Sequence, residues 1–456
     1  MFKGRLIPIL GVSLIGWTAL ASWPVEAANE AMMELLKVLR ENGTLSEEAY
    51  EQLQSAAKAD DESNTQGQAE VKAAAQNLPK IDTKGKLEIG TPDGEFKFQA
   101  GGRLQVDSAW YEDDESDTGE STELDSATEI RRARIHLAGT LWKYWDFKTE
   151  FDFAENAVEI KDAYIAYTGL KLLSFQAGNF KEPFSLEQLT SSRFITFMER
   201  SLADIFVPER NLGTQIHYAG PNWTAAAGVF SEGIDDDEED LVPNGGEGLG
   251  ATGRVTFAPI ASATQVVHLG GAVSWRDPEE DTVEFEQRPE SHIADQTLVS
   301  TGEIGDIDDF LRYGAEAALV WGPFSLQGEY IFTDLYSDVG EDLGFEGYYI
   351  YGSYFITGES RAYKVEKGAF DRITPKASLG KGGWGAWEVA VRYSGLDLSD
   401  GPIDGGEEEN ITAALNWYPT ANVRLMANVV HVLDLKGGDF GGANPTAYQM
   451  RAQIDF

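Results

Sequence analysis

The sequence ends in Tyr448-Gln449-Met450-Arg451-Ala452-Gln453-Ile454-Asp455-Phe456, a stretch in which apolar and polar side chains alternate without a break. Successive side chains of an extended strand point to opposite faces, so one face of this segment is apolar and the other is polar. In a soluble sandwich the apolar face would form a dry core, whereas in a transmembrane barrel it would meet lipid. The preceding sequence decides between these two folds.

The same alternation recurs from Phe96 onward, in segments of roughly ten residues separated by connections of two lengths. The short connections are flanked by aromatic residues and fall at Trp142–Tyr144, Ala219–Asn222, Trp321–Pro323 and Tyr418–Ala421. The long connections between them are rich in Asp and Glu. Short periplasmic turns, long external loops and aromatic girdles are typical of an outer-membrane barrel. The pattern therefore predicts an all-β fold, a transmembrane antiparallel β-barrel of about sixteen strands.

The amino-terminal part of the chain does not follow this pattern and divides into three segments. Residues 1–28 combine a basic start, an apolar run from Leu6 to Ala21 and small residues at the end, which predicts a secretory signal peptide. Residues 29–60 have helical periodicity interrupted at Gly43, which predicts a short helical hairpin. Residues 61–94 are predicted to be a linker, and residues 95–456 the barrel domain. We expect the hairpin in the periplasm, either as a solvated spacer or as a coiled coil between subunits.

Acidic residues dominate the composition, with 76 Asp and Glu against 36 Lys and Arg. This balance excludes a nucleic-acid-binding protein, because phosphate contacts need clustered cations. The absence of cysteine excludes disulfides and thiolate metal sites. The five histidines lack metal-ligand spacing, and no serine lies in a GxSxG motif. We therefore expect no metal, no cofactor and no enzymatic activity.

The alternation of each strand sends a set of basic side chains towards the interior. The predicted pore-lining and anion-binding residues are Arg103, Arg132, Arg134, Arg276, Arg312, Arg392, Arg424 and Arg451, and Arg254 and Lys148 share their phase. The inward acids by the same rule are Asp107, Glu150, Asp152, Glu316, Glu329, Glu388 and Asp455. A narrow pore with low-dielectric walls amplifies the small positive excess of the bases. Because guanidinium groups bind phosphate or carboxylate oxygens in a bidentate way, the wall predicts anion preference.

These arginines have a second possible role, since buried charges need partners and an arginine can brace the wall by pairing with a carboxylate. For a single arginine we expect bracing. For Arg131, Arg132 and Arg134 together we expect an anion path, because close cations repel one another unless an anion or several carboxylates lie between them. The phase of Arg131 points outward, and we expect its side chain to reach towards the membrane interface.

Several longer motifs after Gly90 do not follow from alternation. They are Arg131-Arg132-Ala133-Arg134-Ile135, Lys161-Asp162-Ala163-Tyr164, Gly178-Asn179-Phe180-Lys181-Glu182-Pro183-Phe184-Ser185-Leu186-Glu187, Thr190-Ser191-Ser192-Arg193, Phe197-Met198-Glu199-Arg200-Ser201, Gly358–Tyr363, Gly385–Glu388 and Asn416–Tyr418. Together they resemble the phosphate-selective porins O and P. The resemblance implies a sixteen-stranded homotrimeric barrel whose pore is lined by arginines and narrowed by inward-folded loops. It also implies that the terminal Phe456 belongs to a signal for barrel assembly.

The same resemblance identifies the segment from Lys181 to Arg210 as a constriction loop. Its basic residues are Lys181, Arg193, Arg200 and Arg210, and they are matched by Glu182, Glu187, Glu199, Asp204 and Glu209, so the loop adds no positive excess. A second unusual connection runs from Gly358 to Gly383, on the side of the short turns, and is long and basic. We expect it to be either a periplasmic loop or a segment that folds into the pore.

The pattern and the resemblance together favour an outer-membrane diffusion channel for small solutes that prefers anions, with phosphate as the named candidate. Its expected partners are outer-membrane lipid, further copies of the chain in a homotrimer, and small anions as permeant solutes. The alternative within transport is a weakly selective or cation-preferring porin governed by the acidic loops. The alternative of another class is a structural or attachment barrel with negligible conductance.

Overall fold

The structure is a computed structural model that describes residues 25–59, 78–83, 87–154, 157–234, 248–278, 281–337 and 339–456. The chain divides into two compact units, Met1–Leu78 and Pro79–Phe456. Most of the predicted signal peptide and of the predicted linker lies outside the described residues.

The first unit contains the two predicted helices. Helix α1 spans Val25–Glu41, and a second helical stretch covers residues 47–59. Gly43 lies between them with φ +70°, a conformation that glycine adopts without strain. The helices pack through Arg40, which lies 4.4 Å from the ring centre of Tyr50 and pairs with Glu47 at 3.4 Å. No helix in the described part of the chain combines the length and the apolar character needed to cross a bilayer.

The second unit is a closed barrel of sixteen antiparallel strands within the described residues, which confirms the predicted fold. The strands are β1 Lys97–Glu112, β2 Ala127–Leu141, β3 Trp145–Asp152, β4 Glu159–Tyr167, β5 Leu173–Lys181, β6 Arg210–Ala219, β7 Trp223–Phe230, β8 Leu249–Ala261, β9 Gln265–Asp277, β10 Asp309–Trp321, β11 Phe324–Tyr336, β12 Leu343–Phe355, β13 Ala386–Asp400, β14 Ile403–Thr420, β15 Val423–Lys436 and β16 Thr446–Asp455. Each strand pairs with the next in the chain, and β16 returns to β1 with Asp455 opposite Arg103. Closure leaves no unpaired sheet edge, which a membrane-spanning sheet requires.

Strand pairing begins before the predicted start of the barrel domain at residue 95. The short strands Lys80–Asp82 and Leu87–Gly90 pair with each other, and Leu87 lies opposite Ala100 of β1. Leu87 and Ile89 flank Glu88, so the end of the predicted linker carries the same alternation as the barrel strands.

The connections differ in length at the two ends of the barrel. At one end, called the turn end here, connections such as residues 142–144, 220–222 and 421–422 are short, as predicted. At the other, called the loop end, long connections include residues 113–126, 182–209 and 278–308. The loop end therefore carries the segments long enough to fold back into the barrel.

The outer surface is apolar around the middle and aromatic near both ends. The exposed large side chains include Leu104, Ile135, Val255, Leu269 and Val391 in mid-strand, Trp142, Trp223 and Trp321 at the turn end, and Trp110 and Tyr313 towards the loop end. An apolar band flanked by aromatic girdles matches the hydrocarbon core and the two interfaces of a membrane.

Among the connections that the structure describes, three line or fill the interior. The constriction loop (182–209) and the second loop (278–308) enter from the loop end, and the turn-side segment (356–385) enters from the turn end. The two loops and the wall share an apolar cluster that includes Phe184, Leu202 and Phe206 of the constriction loop, Phe285 and Leu298 of the second loop, and Phe310, Phe345 and Leu398 of the wall. Part of the interior is thus a dry core that fixes the loops against the strands.

Candidate functional site: the charged interior of the barrel

The eight predicted pore-lining arginines all lie on the inward face of their strands and are buried. They are Arg103, Arg132, Arg134, Arg276, Arg312, Arg392, Arg424 and Arg451. On the wall formed by β1 to β3, Arg103 pairs with Glu150 at 2.6 Å and Arg134 pairs with Asp152 at 2.5 Å. Lys148 lies 3.0 Å from the same Glu150. The first pair reaches across β2 from β1 to β3, the second joins the neighbouring strands β2 and β3, and together they neutralise much of the predicted charge of this part of the wall.

Other buried arginines hold the two loops in place. Arg392 pairs with Glu290 of the second loop at 2.6 Å, and the fully buried Arg276 contacts Glu182 of the constriction loop. Arg424 donates hydrogen bonds to the backbone carbonyls of Ile195 and Thr196 at 2.6 and 2.8 Å. These arginines therefore fasten inward-folded backbone to the wall, which is the bracing role expected for single arginines.

The orientation predicted for Arg131 is wrong. The pairing of β1 with β2 shifts register here, because Gln105 lies opposite Arg132 while Val106 lies opposite Ile130. Arg131 is the extra residue of this β-bulge, and a bulge redirects the side chain that it adds. The Arg131 guanidinium reaches Glu199 of the constriction loop through Nε and Nη2, both at 3.2 Å.

The strand alternation predicts more basic than acidic side chains in the interior, and the folded structure does not have this excess. Among the described residues, ten arginines and thirteen Asp and Glu residues are buried. The inward alternation of the strands was assigned correctly, but the loops bring further carboxylates inside, including Glu182, Glu187 and Glu290. Strand periodicity cannot report on these residues, because they belong to segments without it.

Both basic and acidic side chains inside the barrel keep access to water, and among the acids Asp204 and Glu199 retain 18% and 16% exposure of their side chains. Lys148, Arg193, Arg131, Arg210 and Arg200 retain 22%, 20%, 17%, 13% and 12% exposure of their side chains. All but Lys148 and Arg131 are predicted residues of the constriction loop. These side chains, rather than the buried arginines, are available to a passing solute.

The constriction-loop residues also contact one another and the wall. Lys181 donates hydrogen bonds to the backbone carbonyl and the Oε1 atom of Gln188, both at 2.6 Å. Arg210 pairs with Asp162 at 2.8 Å, and Arg200 lies 3.7 Å from Asp204. The loop is therefore held by charged contacts as well as by its apolar cluster.

Two carboxylates of the constriction loop differ in their ionisation. Arg131, Arg132 and Arg451 outweigh the effect of burial and hold the pKa of Glu199 well below its usual range. Burial dominates at Asp204, where it raises the pKa to about 7 despite the nearby Arg200. Glu199 is thus a fixed negative charge, whereas Asp204 titrates near neutral pH.

The turn-side segment folds into the barrel, which decides between the two predicted alternatives. Its Phe370 N–H donates to Thr190 Oγ1 of the constriction loop at 3.3 Å. On the wall, Arg254 donates to the carbonyl of Gly368 at 2.8 Å. The segment also brings in Arg361, which lies 3.6 Å from the ring centre of Phe370 and is buried. Segments from both ends of the barrel therefore meet inside it.

Comparison with known proteins identifies the family to which this barrel belongs. A sequence model of the family "Phosphate-selective porin O and P" matches residues 98–456, which is the barrel from its first strand to its last residue. The chain belongs to the phosphate-selective porin O and P family. The resemblance of the motifs is thereby confirmed, and the protein is an outer-membrane porin whose family consists of channels rather than enzymes.

Two relatives of this porin align over most of their length. Porin O of Pseudomonas aeruginosa is 31% identical over 389 residues, which cover 77% of this chain and 86% of that protein. An uncharacterised protein of Caulobacter vibrioides is 33% identical over 355 residues, which cover 75% of this chain and 70% of that protein. Among solved structures, an anion-selective porin from Comamonas acidovorans aligns with a TM-score of 0.49 at 14% identity, covering 79% of this chain and all of that one.

The sequence reasoning gave Arg131 the wrong direction and left the direction of Arg361 open, for different reasons. Arg131 was assigned outward because the alternation pattern cannot detect a bulge. A signal was present in the sequence, since in a regular strand one of two consecutive arginines would face lipid. Arg361 lies in a connection without periodicity, and its motif does not predict which way the side chain points. Within the described residues, no cluster of His, Asp or Glu has the arrangement of a metal site.

Proposed function

We propose that this porin is a diffusion channel that prefers small anions, with phosphate as the named candidate. The observation that supports the preference is the set of partly exposed bases inside the barrel, Arg131, Lys148, Arg193, Arg200 and Arg210. Cations confined in a narrow passage with low-dielectric walls raise the local concentration of anions. Guanidinium groups also bind oxyanions through two parallel hydrogen bonds, which favours phosphate over chloride.

The buried arginines have a supporting role in this proposal. Arg276 and Arg392 are paired with carboxylates of the two inward loops, so they hold these loops against the wall. Arg103 and Arg134 are paired with carboxylates of β3 and brace the wall itself. The electric field that acts on a solute then comes from the bases of the constriction loop and from Arg131 in the bulge of β2.

Assembly and placement of the helices complete the proposal. A homotrimer in outer-membrane lipid is the state implied by the family resemblance, and three copies would bury part of the apolar outer wall. Residues 29–60 would extend into the periplasm, as a spacer or as a coiled coil between subunits. Cross-linking of the purified protein in detergent tests the trimer, and the same experiment without residues 29–60 tests the coiled coil.

A reversal-potential measurement tests the anion preference. Purified protein in a planar bilayer between concentrated and dilute KCl should give a potential of the sign produced by chloride permeation. Inorganic phosphate added to the dilute side should then reduce the chloride current. A potential of the opposite sign would end the anion proposal, and normal assembly with negligible conductance would favour an attachment barrel.

A cation-preferring porin is the second candidate, and one observation favours it. Buried carboxylates outnumber buried arginines among the described residues, and the whole chain has a net charge of −40. The two candidates differ in which charges act most strongly on the solute, the partly exposed bases or the buried carboxylates. The sign of the reversal potential separates them directly.

A further inference from the structure

One carboxylate, that of Glu199, lies where three guanidinium groups converge. It accepts hydrogen bonds from Arg131 at 3.2 Å and from Arg451 Nη2 at 2.6 Å, and Arg132 Nη2 is 3.7 Å away. Arg131 comes from the bulge of β2, Arg132 from the same strand and Arg451 from β16. A side chain of the constriction loop therefore completes a site whose cations all belong to the wall.

The guanidinium donors around Glu199 outnumber their partners. Arg451 is paired with Asp107 at 2.7 and 2.5 Å, and Glu129, which acts on Arg131, is shared with His292 at 3.0 Å, so Glu199 is the carboxylate within 4 Å of both Arg131 and Arg132. Arg132 is buried, and its Nε donor has no hydrogen-bond partner among the described residues. The site thus holds more hydrogen-bond donors than its carboxylates satisfy.

The site is partly exposed to solvent. The side chains of Glu199 and Arg131 retain 16% and 17% exposure, in contrast to the fully buried pair of Arg276 and Glu182. The two oxygens of a carboxylate have nearly the arrangement of two oxygens of a phosphate, and both bind a guanidinium in the same bidentate way. Glu199 therefore occupies the position that a permeant oxyanion would take.

We propose that Glu199 is a tethered counter-anion, which competes with a permeant oxyanion for Arg131 and Arg132 and so sets the affinity of this site. The inference rests on the proposed anion function and adds to it the residue that limits binding. Without a competitor, three close arginines would hold a multivalent anion too long for rapid passage, because conduction requires binding that is weak enough to release. With Glu199 present, each anion that leaves is replaced by the carboxylate.

The backbone of the loop has other attachments, so the charge of Glu199 can be removed without releasing the loop. Arg392 donates to the carbonyl of Glu199 at 3.1 Å, and Arg424 holds the carbonyls of Ile195 and Thr196. Substitution of Glu199 by glutamine keeps its shape. The variant should therefore assemble, which is checked by thermal unfolding of the folded barrel in detergent.

The test compares full-length wild-type protein with Glu199→Gln in planar bilayers. The half-blocking concentration of inorganic phosphate on the chloride current should fall at least fivefold, and the reversal potential in a KCl gradient should shift towards anions. Glu407→Gln removes the same charge at an exposed ion pair with Lys436, 3.2 Å apart and outside the constriction loop, and should change either quantity less than twofold. Arg131→Gln combined with Glu199→Gln should abolish the gain.

The outcomes separate this inference from the function on which it rests. If the wild-type potential indicates cations, the proposed function fails, and the shift caused by Glu199→Gln still tests the competition. An assembled Glu199→Gln channel with unchanged phosphate block and potential would overturn the inference, as would an equal effect of Glu407→Gln. Should Glu199→Gln not assemble, Glu199→Asp, which keeps the charge but shortens its reach, should give a smaller gain of the same sign, and no gain would overturn the inference.

Discussion

Arg276 and Glu182 show what a buried charge contributes at the scale of single residues. Both side chains are fully buried, and Glu182 also accepts from Asn211 at 2.8 Å. Removal of one partner leaves an uncompensated charge, so Arg276→Met should lower the free energy of unfolding by about 3 kcal/mol. Urea unfolding in detergent, followed by tryptophan fluorescence, measures this free energy.

The control is Lys436→Ala, at an exposed ion pair, which should have no detectable effect. An equally small effect of Arg276→Met would mean that water reaches the pair of Arg276 and Glu182.

Asp204 predicts how selectivity depends on pH. Because its pKa is raised to about 7, the side chain is neutral below this pH and negative above it. The groups that face it are Arg200, Lys181, Glu187 and Glu209. Acidification from pH 8 to pH 6 removes a negative charge beside Arg200, so the permeability ratio of chloride to potassium should rise. Asp204→Asn should have the higher ratio at both pH values, and a variant that keeps the full pH dependence would assign the titration to another group.

The sequence predicted the direction of residues in regular strands and failed where regularity ends. Arg103 and Arg451 were placed inward because each lies in an unbroken alternation. Arg131 was misplaced by one inserted residue, since a bulge changes the phase without changing the composition. Glu199 was recognised as part of a loop, but its contacts with three strands depend on how the loop folds, which local patterns do not contain.

The bulge in β2 makes a prediction at the scale of the element. Deletion of Arg131 should restore a regular ladder with Ile130 and Arg132 still opposite Val106 and Gln105, because the bulge residue is the one without a partner. The barrel should assemble with little change in its melting temperature, while phosphate should block chloride current at a higher concentration. A deletion variant that fails to close would show that the bulge is needed for the curvature of the sheet.

The turn-side segment makes a second prediction at this scale. Replacement of residues 359–376 by a short Gly-Ser turn removes Arg361 and Phe370 from the interior, so the single-channel conductance in KCl should rise about twofold, because conductance increases with the free cross-section of a pore. The control is Lys381→Gln, an exposed side chain of the same segment, which should leave conductance unchanged. An unaltered conductance in the shortened protein would mean that the segment lies beside the passage.

The elements themselves differed in how well the sequence could define them. Local alternation of polar and apolar residues defines the strands, and aromatic and polar residues mark turns such as residues 142–144. Both were therefore predicted. The interior fold of residues 182–209 and 356–385 depends on contacts between distant segments, such as Phe370 with Thr190. For these segments the sequence supplied a family resemblance and two alternatives, and the structure was needed to choose.

At the scale of the whole molecule, opposite charges are separated in space. The long external connections are acidic, whereas the interior presents partly exposed bases beside the carboxylates Glu199 and Asp204. Salt screens exposed loop charges beyond about 8 Å at physiological ionic strength, so an anion that approaches the mouth is repelled over a short range only. Inside, the low-dielectric walls focus the electric field and the bases act at close distance. The interior therefore determines the sign of the selectivity.

One measurement tests this account most directly. Single-channel conductance of the purified protein is recorded in KCl, then in a potassium salt of a bulky anion, and then in the chloride salt of a bulky cation. If anions carry the current through the basic interior, the conductance should collapse with the bulky anion and remain close to its KCl value with the bulky cation. The reverse result, a current lost with the bulky cation and kept with the bulky anion, would contradict the account.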